Sequence, residues 1–241
     1  MTDLTNEQIY GLPRFAAIST MPTRAAGFEI VVRSILDQVN MMFVYLDHFE
    51  NVPTFLKDNP KIRIFRSEEC GDYHASSRFL ILEEVLPPSV VLVVDDDIYY
   101  PSNYVESLVS SLAIFGGNAV VGVHGKIFLP PHTNYVSDAH VIHFESGSEA
   151  NTHCHELGIG TVAFISSRFN FRVSSWIYND MDDISFAIEA QKLGIPRIAI
   201  HRPHNWLMAI EENQPDSLWR KTQKECSRQS TLMKMLLTLY Q

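Results

Sequence analysis

The chain has 241 residues, 46% of them apolar and 20% charged, with 28 acidic against 19 basic side chains and a net charge of −9. This is an ordinary composition for a soluble globular protein, long enough to bury a core without disulfide or metal staples. The acidic balance excludes broad nucleic-acid binding, which draws on clustered Lys and Arg.

The three cysteines, Cys70, Cys154 and Cys226, lie far apart with no CxxC spacing. Neither a zinc knuckle nor a disulfide framework is expected, and a reducing, cytoplasmic setting fits. The N-terminus lacks the basic and apolar regions of a signal peptide. No apolar run reaches the length of about 18 residues that a membrane helix needs.

In chain order, Arg14–Thr20 reads as a buried strand and Gly27–Val39 as the helix after it. Met42–Asp47 and Lys61–Ser67 read as strands, and Ala75–Val85 has helical spacing. Val90–Val94 (VVLVV) is the mark of a strand covered on both faces. Ser102–Phe115 reads as a helix stopped by Gly116 and Gly117. Ala119–Phe128 is a strand or hairpin arm. Leu129–Leu157 is polar, His-rich and aperiodic, and is expected to be a long functional loop. Its histidines (His140, His143, His153, His155) and Cys154 have no closed zinc spacing. Thr161–Ser166 reads as a strand, Asp183–Leu193 as a helix closed by Gly194, Arg197–His201 as a final strand, and Thr231–Tyr240 as an apolar helix. The βαβα order up to Asp97 predicts a parallel, doubly wound sheet.

The strand VVLVV runs straight into Asp95-Asp96-Asp97. Ligands of open α/β sheets bind at the carboxyl ends of strands. Three adjacent carboxylates repel one another, and a hard divalent cation would relieve them. Alternation along an extended strand turns Asp95 and Asp97 one way and Asp96 the other. The plain alternative is a solvated turn before the next helix.

Here the chain resembles the GT-A glycosyltransferases, whose hallmark is a short acidic motif ending a central strand. The resemblance implies a Rossmann-like, doubly wound mixed α/β sheet in a single domain with a long acceptor-side loop. Residues 1–212 would form it (1–100 the nucleotide-binding half, 101–212 the acceptor-side half), followed by a helical tail, 213–241. It also implies Mn2+ or Mg2+ on Asp97, with Asp95 towards the ribose or the metal and Asp96 facing the donor sugar.

Further segments match in the same order. Ser19-Thr20-Met21-Pro22-Thr23-Arg24 resembles the loop that holds the nucleoside, with Thr20, Pro22 and Arg24 as contacts. Asp47 ends the second strand where an acidic residue reads the base. Asp72 and Arg78, in Gly71–Arg78, would contact the base or ribose and the diphosphate. Asp182 and Asp183 open a helix where an acidic pair meets the acceptor, and in inverting members the second residue is the base. Helix capping is the alternative for this pair. His201 and His204 are both candidates for a third metal contact. Gly158, Gly160 and Thr161 resemble the small-residue turn near the acceptor and donor sugar.

The implied activity is metal-dependent transfer of a sugar from a nucleoside diphosphate sugar, a UDP-sugar, to a hydroxyl of a glycan or lipid-linked glycan. No QxxRW-type signature supports a polymerising synthase. The Asn179–Ile184 run resembles the retaining, exostosin-like members, so the stereochemistry stays open. The alternatives are a sugar nucleotidyltransferase on a related fold, for which STMPTRAAG carries too few Gly and basic residues, and a non-catalytic carbohydrate- or nucleotide-binding protein. The stretch Leu232–Tyr240, preceded by Arg220, Lys221, Lys224 and Arg228, either lies peripherally on a membrane surface or packs on the domain.

Overall fold

The computed structural model describes residues 3–84, 87–210 and 218–240. A short helix, α1 (Asn6–Gly11), closed by a Thr5–Gln8 capping box, precedes the first strand. Strand β1 (Arg14–Thr20) leads through a 3-10 turn at Pro22–Arg24 into helix α2 (Ala25–Leu36). Then follow β2 (Met41–Leu46), β3 (Ile62–Arg66) and a single turn of helix, α3 (Ser67–Cys70). Strand β4 (Val90–Val94) is buried at all five residues. These four strands pair in parallel, in the order β3-β2-β1-β4. The apolar stretches FAAI in β1 and VVLVV in β4 are what parallel strands covered on both faces require.

Strand β5 (Ile98–Tyr99) and helix α4 (Tyr104–Ile114) follow the triplet. The expected single arm Ala119–Phe128 is instead two strands, β6 (Val120–Gly122) and β7 (Gly125–Phe128), in different sheets. The expected loop 129–157 contains β8 (Ala139–Ile142), β9 (Thr152–Cys154) and β10 (Glu156–Leu157). These strands are short, and β8 is largely exposed, so neither alternation nor an apolar run marks them. Strand β11 (Thr161–Ile165), helix α5 (Asp182–Lys192), β12 (Arg197–Ala199) and β13 (Met208–Ala209) complete the fold. Two helices end it, α6 (Leu218–Lys224) and α7 (Ser227–Thr238).

The main sheet has eight strands, β3-β2-β1-β4-β11-β6-β12-β9, and is mixed because β11 runs antiparallel to both β4 and β6. Strands from both halves of the chain therefore share one α/β sheet. Its two faces bury different residues of the same strands. Ala16, Ile18, Leu92 and Val94 face Phe28 and Val32 of α2 and Leu108 of α4. Phe15, Ala17, Val91 and Val93 face Phe79, Trp176 and Phe186 of the opposite layer. This alternation is the period-2 consequence of an extended backbone.

The stretch expected to be helical over Ala75–Val85 is a 3-10 helix, His74–Glu83, and Val85 lies outside the described residues. Its clustered Ser76, Ser77, Arg78, Phe79 and Ile81 are all buried, so packing on the sheet, rather than an amphipathic stripe, sets its conformation. The boundary at residues 212 and 213 and the linker beyond it also lie outside the described residues. Within the tail, Leu232, Met233 and Leu236 are buried against Met181, Ile184 and Ile188 at α5. No helix is long and apolar enough to cross a membrane among the described residues.

Candidate functional site

The carboxyl ends of β1, β2 and β4 open into a cavity of about 450 Å³. Thr20, Arg24, Asp47, Arg78, the triplet Asp95–Asp97 and the pair Asp182–Asp183 all line it. Nine of the residues singled out in the sequence thus meet at one place, although they span more than 160 positions of chain. Strand ends collect them, because each strand delivers its last side chains to the same edge of the sheet.

The three aspartates have different surroundings. Asp95 Oδ1 accepts a 2.5 Å hydrogen bond from Arg78 Nη1, and Asp97 Oδ2 accepts one of 3.1 Å from Arg24 Nη1. Asp96 is half-buried, and desolvation pushes its pKa up to about 7; the neighbouring Asp97 adds to the rise, while Thr20 and Arg24 oppose it. Burial, followed by repulsion from Asp95, raises Asp97 to about 6 despite Arg24. Asp95 and Asp97 also line a second cavity of about 560 Å³, on which Asp96 does not border. All three line the first cavity, and Asp96 and Asp97 lie in a turn after β4, so the alternation expected of an extended strand does not run through the triplet.

Arg78 is engaged by protein carboxylates. Its Nε donates to Asp182 Oδ2 at 2.8 Å, and its Nη1 also reaches the Val94 carbonyl at 3.3 Å. It joins the triplet to the first residue of α5 through a buried ion pair with Asp182 and a partly exposed one with Asp95. Asp183 Oδ1 accepts the Ile159 backbone N–H at 2.9 Å. Burial and then the Asp182 charge raise its pKa to about 7, against the pull of Lys126. Asp183 borders both cavities, as do Asp95, Asp97 and Lys126.

Gly158, Gly160 and Thr161 lie at the wall between strands. Thr161 Oγ1 accepts the backbone N–H groups of Val123 and His124 and donates to the Gly158 carbonyl at 2.9 Å. That hydroxyl braces the β6–β7 turn. Gly160 touches Asp95, and the buried Tyr100 hydroxyl bridges the pair by donating to the Gly160 carbonyl and accepting the Asp95 N–H.

Pro22 is exposed at the start of its 3-10 turn and borders neither cavity. His201 and His204 are also exposed and stand outside the linings of both cavities. The histidines that do line them are His74 in the first and His124 and His143 in the second. Asp72 is half-exposed and pairs with His74 Nδ1 at 3.1 Å. Asp47 is buried at the end of β2 and pairs with His48 Nδ1 at 2.7 Å.

One cluster escapes sequence reading. Lys126 of β7 and Glu156 of β10 pair at 3.0 Å, and the Tyr135 hydroxyl donates to Glu156 Oε1 at 2.6 Å. The signal available was a charged residue inside each of two short strands, GKIF and EL, where an unpaired charge would be costly. The tail contributes as well: Thr222 of α6 and Gln229 of α7 line the first cavity. Asp180 ties that side down through a 2.7 Å ion pair with Arg228.

The donor set is suited to a hard cation. Asp95 and Asp97 present carboxylate oxygens to a shared space, and burial, with carboxylate repulsion added to it, disfavours the ionised forms of Asp96 and Asp97, which a cation would relieve. Compared with known proteins, the chain matches no family model and no curated protein.

Proposed function

We propose that the chain is a glycosyltransferase of GT-A type that moves a sugar from a nucleoside diphosphate sugar to a hydroxyl acceptor. One observation carries this reading. The acidic triplet and the Asp182–Asp183 pair meet in a cavity at the strand ends, and Asp183 borders that cavity and a second one. The first cavity suits the donor and the second the acceptor, with Asp183 at the junction where the transferred sugar would change partners.

Asp97 and Asp95 would hold Mn2+ or Mg2+, which supplies positive charge for the departing diphosphate. Arg24 stands beside Asp97 and adds positive charge on the same side. Thr20 and Asp47 line the end of the cavity proposed for the nucleoside. Arg78 holds Asp95 and Asp182 in register rather than meeting the diphosphate freely. Asp183 orients the acceptor hydroxyl and, where the configuration inverts, takes its proton. A pKa near 7 suits that task, because a general base works best close to the working pH.

The test is to incubate the chain with a panel of nucleotide sugars and Mn2+ and to measure release of nucleoside diphosphate. At least one donor should be turned over, and Asp97→Ala should abolish the turnover. Equal turnover by Asp97→Ala, or none with any donor across acceptor mixtures, overturns the reading.

A further inference from the structure

We infer that Asp47, His48 and Asp72, with His74 beside them, form a binding site for a d-block divalent cation of the zinc type, separate from the acidic triplet. The inference goes beyond the transferase reading and does not depend on it. One ligand atom each from Asp47, His48 and Asp72 lies within 4.8 Å of the others, so a single ion can be reached by all three. His74 flanks the group, with Nδ1 at 3.5 Å from Asp47 Oδ2 and 3.1 Å from Asp72 Oδ1. Asp47 and His48 follow the end of β2, Asp72 lies between α3 and the 3-10 helix, and His74 is the first residue of that helix.

Their chemistry differs from that of the triplet. Three adjacent carboxylates offer only oxygen and suit Mg2+ or Mn2+, whereas an imidazole with two carboxylates, and a second imidazole beside them, suits Zn2+ and its neighbours. The group is also built in advance. The Asp47 carboxylate is 8% exposed, and each of its oxygens faces an imidazole, His48 Nδ1 at 2.7 Å and His74 Nδ1 at 3.5 Å. The Asp47 N–H is fixed on the Thr20 carbonyl at 2.9 Å, and the His48 N–H on Ser67 Oγ at 3.0 Å. Both histidines have left-handed backbones, with φ of 54° and 46°. Such conformations are uncommon for residues other than glycine and are kept where the surroundings enforce them. Here they turn two rings onto the same pair of carboxylates. Asp47 and His74 line the first cavity, so the ion would sit at its rim beside β2.

The experiment is calorimetric titration of the full chain with Zn2+, repeated with Co2+ by visible absorption, whose bands report nitrogen and oxygen ligation. The wild type should bind Zn2+ at a site that His48→Ala plus His74→Ala weakens by more than about tenfold, since even outer partners of metal ligands are worth that much. Asp97→Ala should keep this site. Both imidazoles are at least half exposed, so the double variant should fold, and its circular dichroism should match the wild type. Equal Zn2+ affinity in the double variant, loss of the site in Asp97→Ala, or no Zn2+ binding by the wild type would each overturn the inference.

Discussion

Gly160 stands against Asp95 with no room for a side chain between them: a Cβ at position 160 would lie 1.8 Å from Asp95 Oδ2 and 1.9 Å from its Cγ. The Tyr100 hydroxyl ties the same two residues by their backbones. Glycine at 160 is therefore the condition for Asp95 to occupy its place at the end of β4.

Gly160→Ala should push Asp95 out of that place. Overpacking of this kind costs about 1–3 kcal/mol, and a shift of about 1 Å in a catalytic group can cost about 100-fold in rate. Thermal denaturation and donor turnover with Mn2+ would check both effects. Wild-type turnover in Gly160→Ala would show that the position of Asp95 is unimportant to the reaction.

Arg78 is the next point of stress, because it is buried between two carboxylates. Arg78→Ala leaves Asp95 and Asp182 facing each other's charge without compensation, and breaking a buried pair in this way costs about 3–5 kcal/mol. Arg78→Lys should recover only part, since a single ammonium cannot present the forked donors that serve Asp182, Asp95 and the Val94 carbonyl together. Urea denaturation measures this directly. A loss below about 1 kcal/mol for Arg78→Ala would mean that solvent reaches the pair.

What the sequence disclosed follows the same physics. β1 and β4 match their expected limits because strands buried on both faces carry continuous apolar stretches, FAAI in β1 and VVLVV in β4. The triplet, Arg24 and Asp183 were legible because strand ends and helix starts have local signatures. Lys126, Tyr135 and Glu156 were not, because their charges are balanced by partners that only the folded chain brings together. Strands β8, β9 and β10 were hidden for a related reason: two to four residues are too few to show a period. His201 looked like a ligand because a strand was expected to end on it, but the strand stops at Ala199 and His201 is exposed, with its backbone N–H donating to Asn151 Oδ1 at 2.8 Å.

Stability should depend on pH through the half-buried acids of the site. Asp96 and Asp183 have pKa values raised to about 7, and Asp97 to about 6. Each binds its proton more tightly in the folded chain than in the unfolded one. Their contribution is thus fully present below about pH 4 and is lost as pH rises through about 6 to 7. Asp138 acts oppositely: backbone and hydroxyl donors of Thr133 and Asn134 lower it to about 2, so its contribution is lost only below about pH 4. The melting temperature of the metal-free chain should therefore fall between about pH 5 and pH 8. Added Mn2+ should raise it more at about pH 8, where the carboxylates are ionised, than at about pH 5. A flat profile that Mn2+ leaves unchanged would contradict both parts.

The tail should prove structural. Leu236 is fully buried against the α5 layer, while its neighbour Met235 is 41% exposed. Leu236→Ala should cost about 2–5 kcal/mol, and Met235→Asp less than about 0.5 kcal/mol. Because Thr222 and Gln229 line the first cavity, Leu236→Ala should also weaken donor binding. Denaturation curves for the two variants decide this, and a reversed order would show that α7 presents its other face to the domain.

The sharpest consequence concerns Asp183 and Lys126. If Asp183 takes the acceptor proton, turnover should rise with pH through about 7, where its carboxyl ionises. Asp183→Asn should remove that limb and lower kcat by about 100- to 10,000-fold, the usual worth of a general base. Lys126 opposes the burial and the Asp182 and Glu156 charges that raise the Asp183 pKa. Lys126→Met removes the positive charge, so the ionised form of Asp183 becomes costlier and its pKa rises further. The limb should then move to higher pH, with kcat approaching the wild-type value on the alkaline side. A retaining reaction predicts otherwise, because Asp183 would only orient the acceptor and the limb near 7 would be absent from the start. The pH profile of the wild type, read together with the anomeric configuration of the product, separates these two roles, and the Lys126→Met shift then assigns the limb to Asp183 rather than to Asp96 or Asp97.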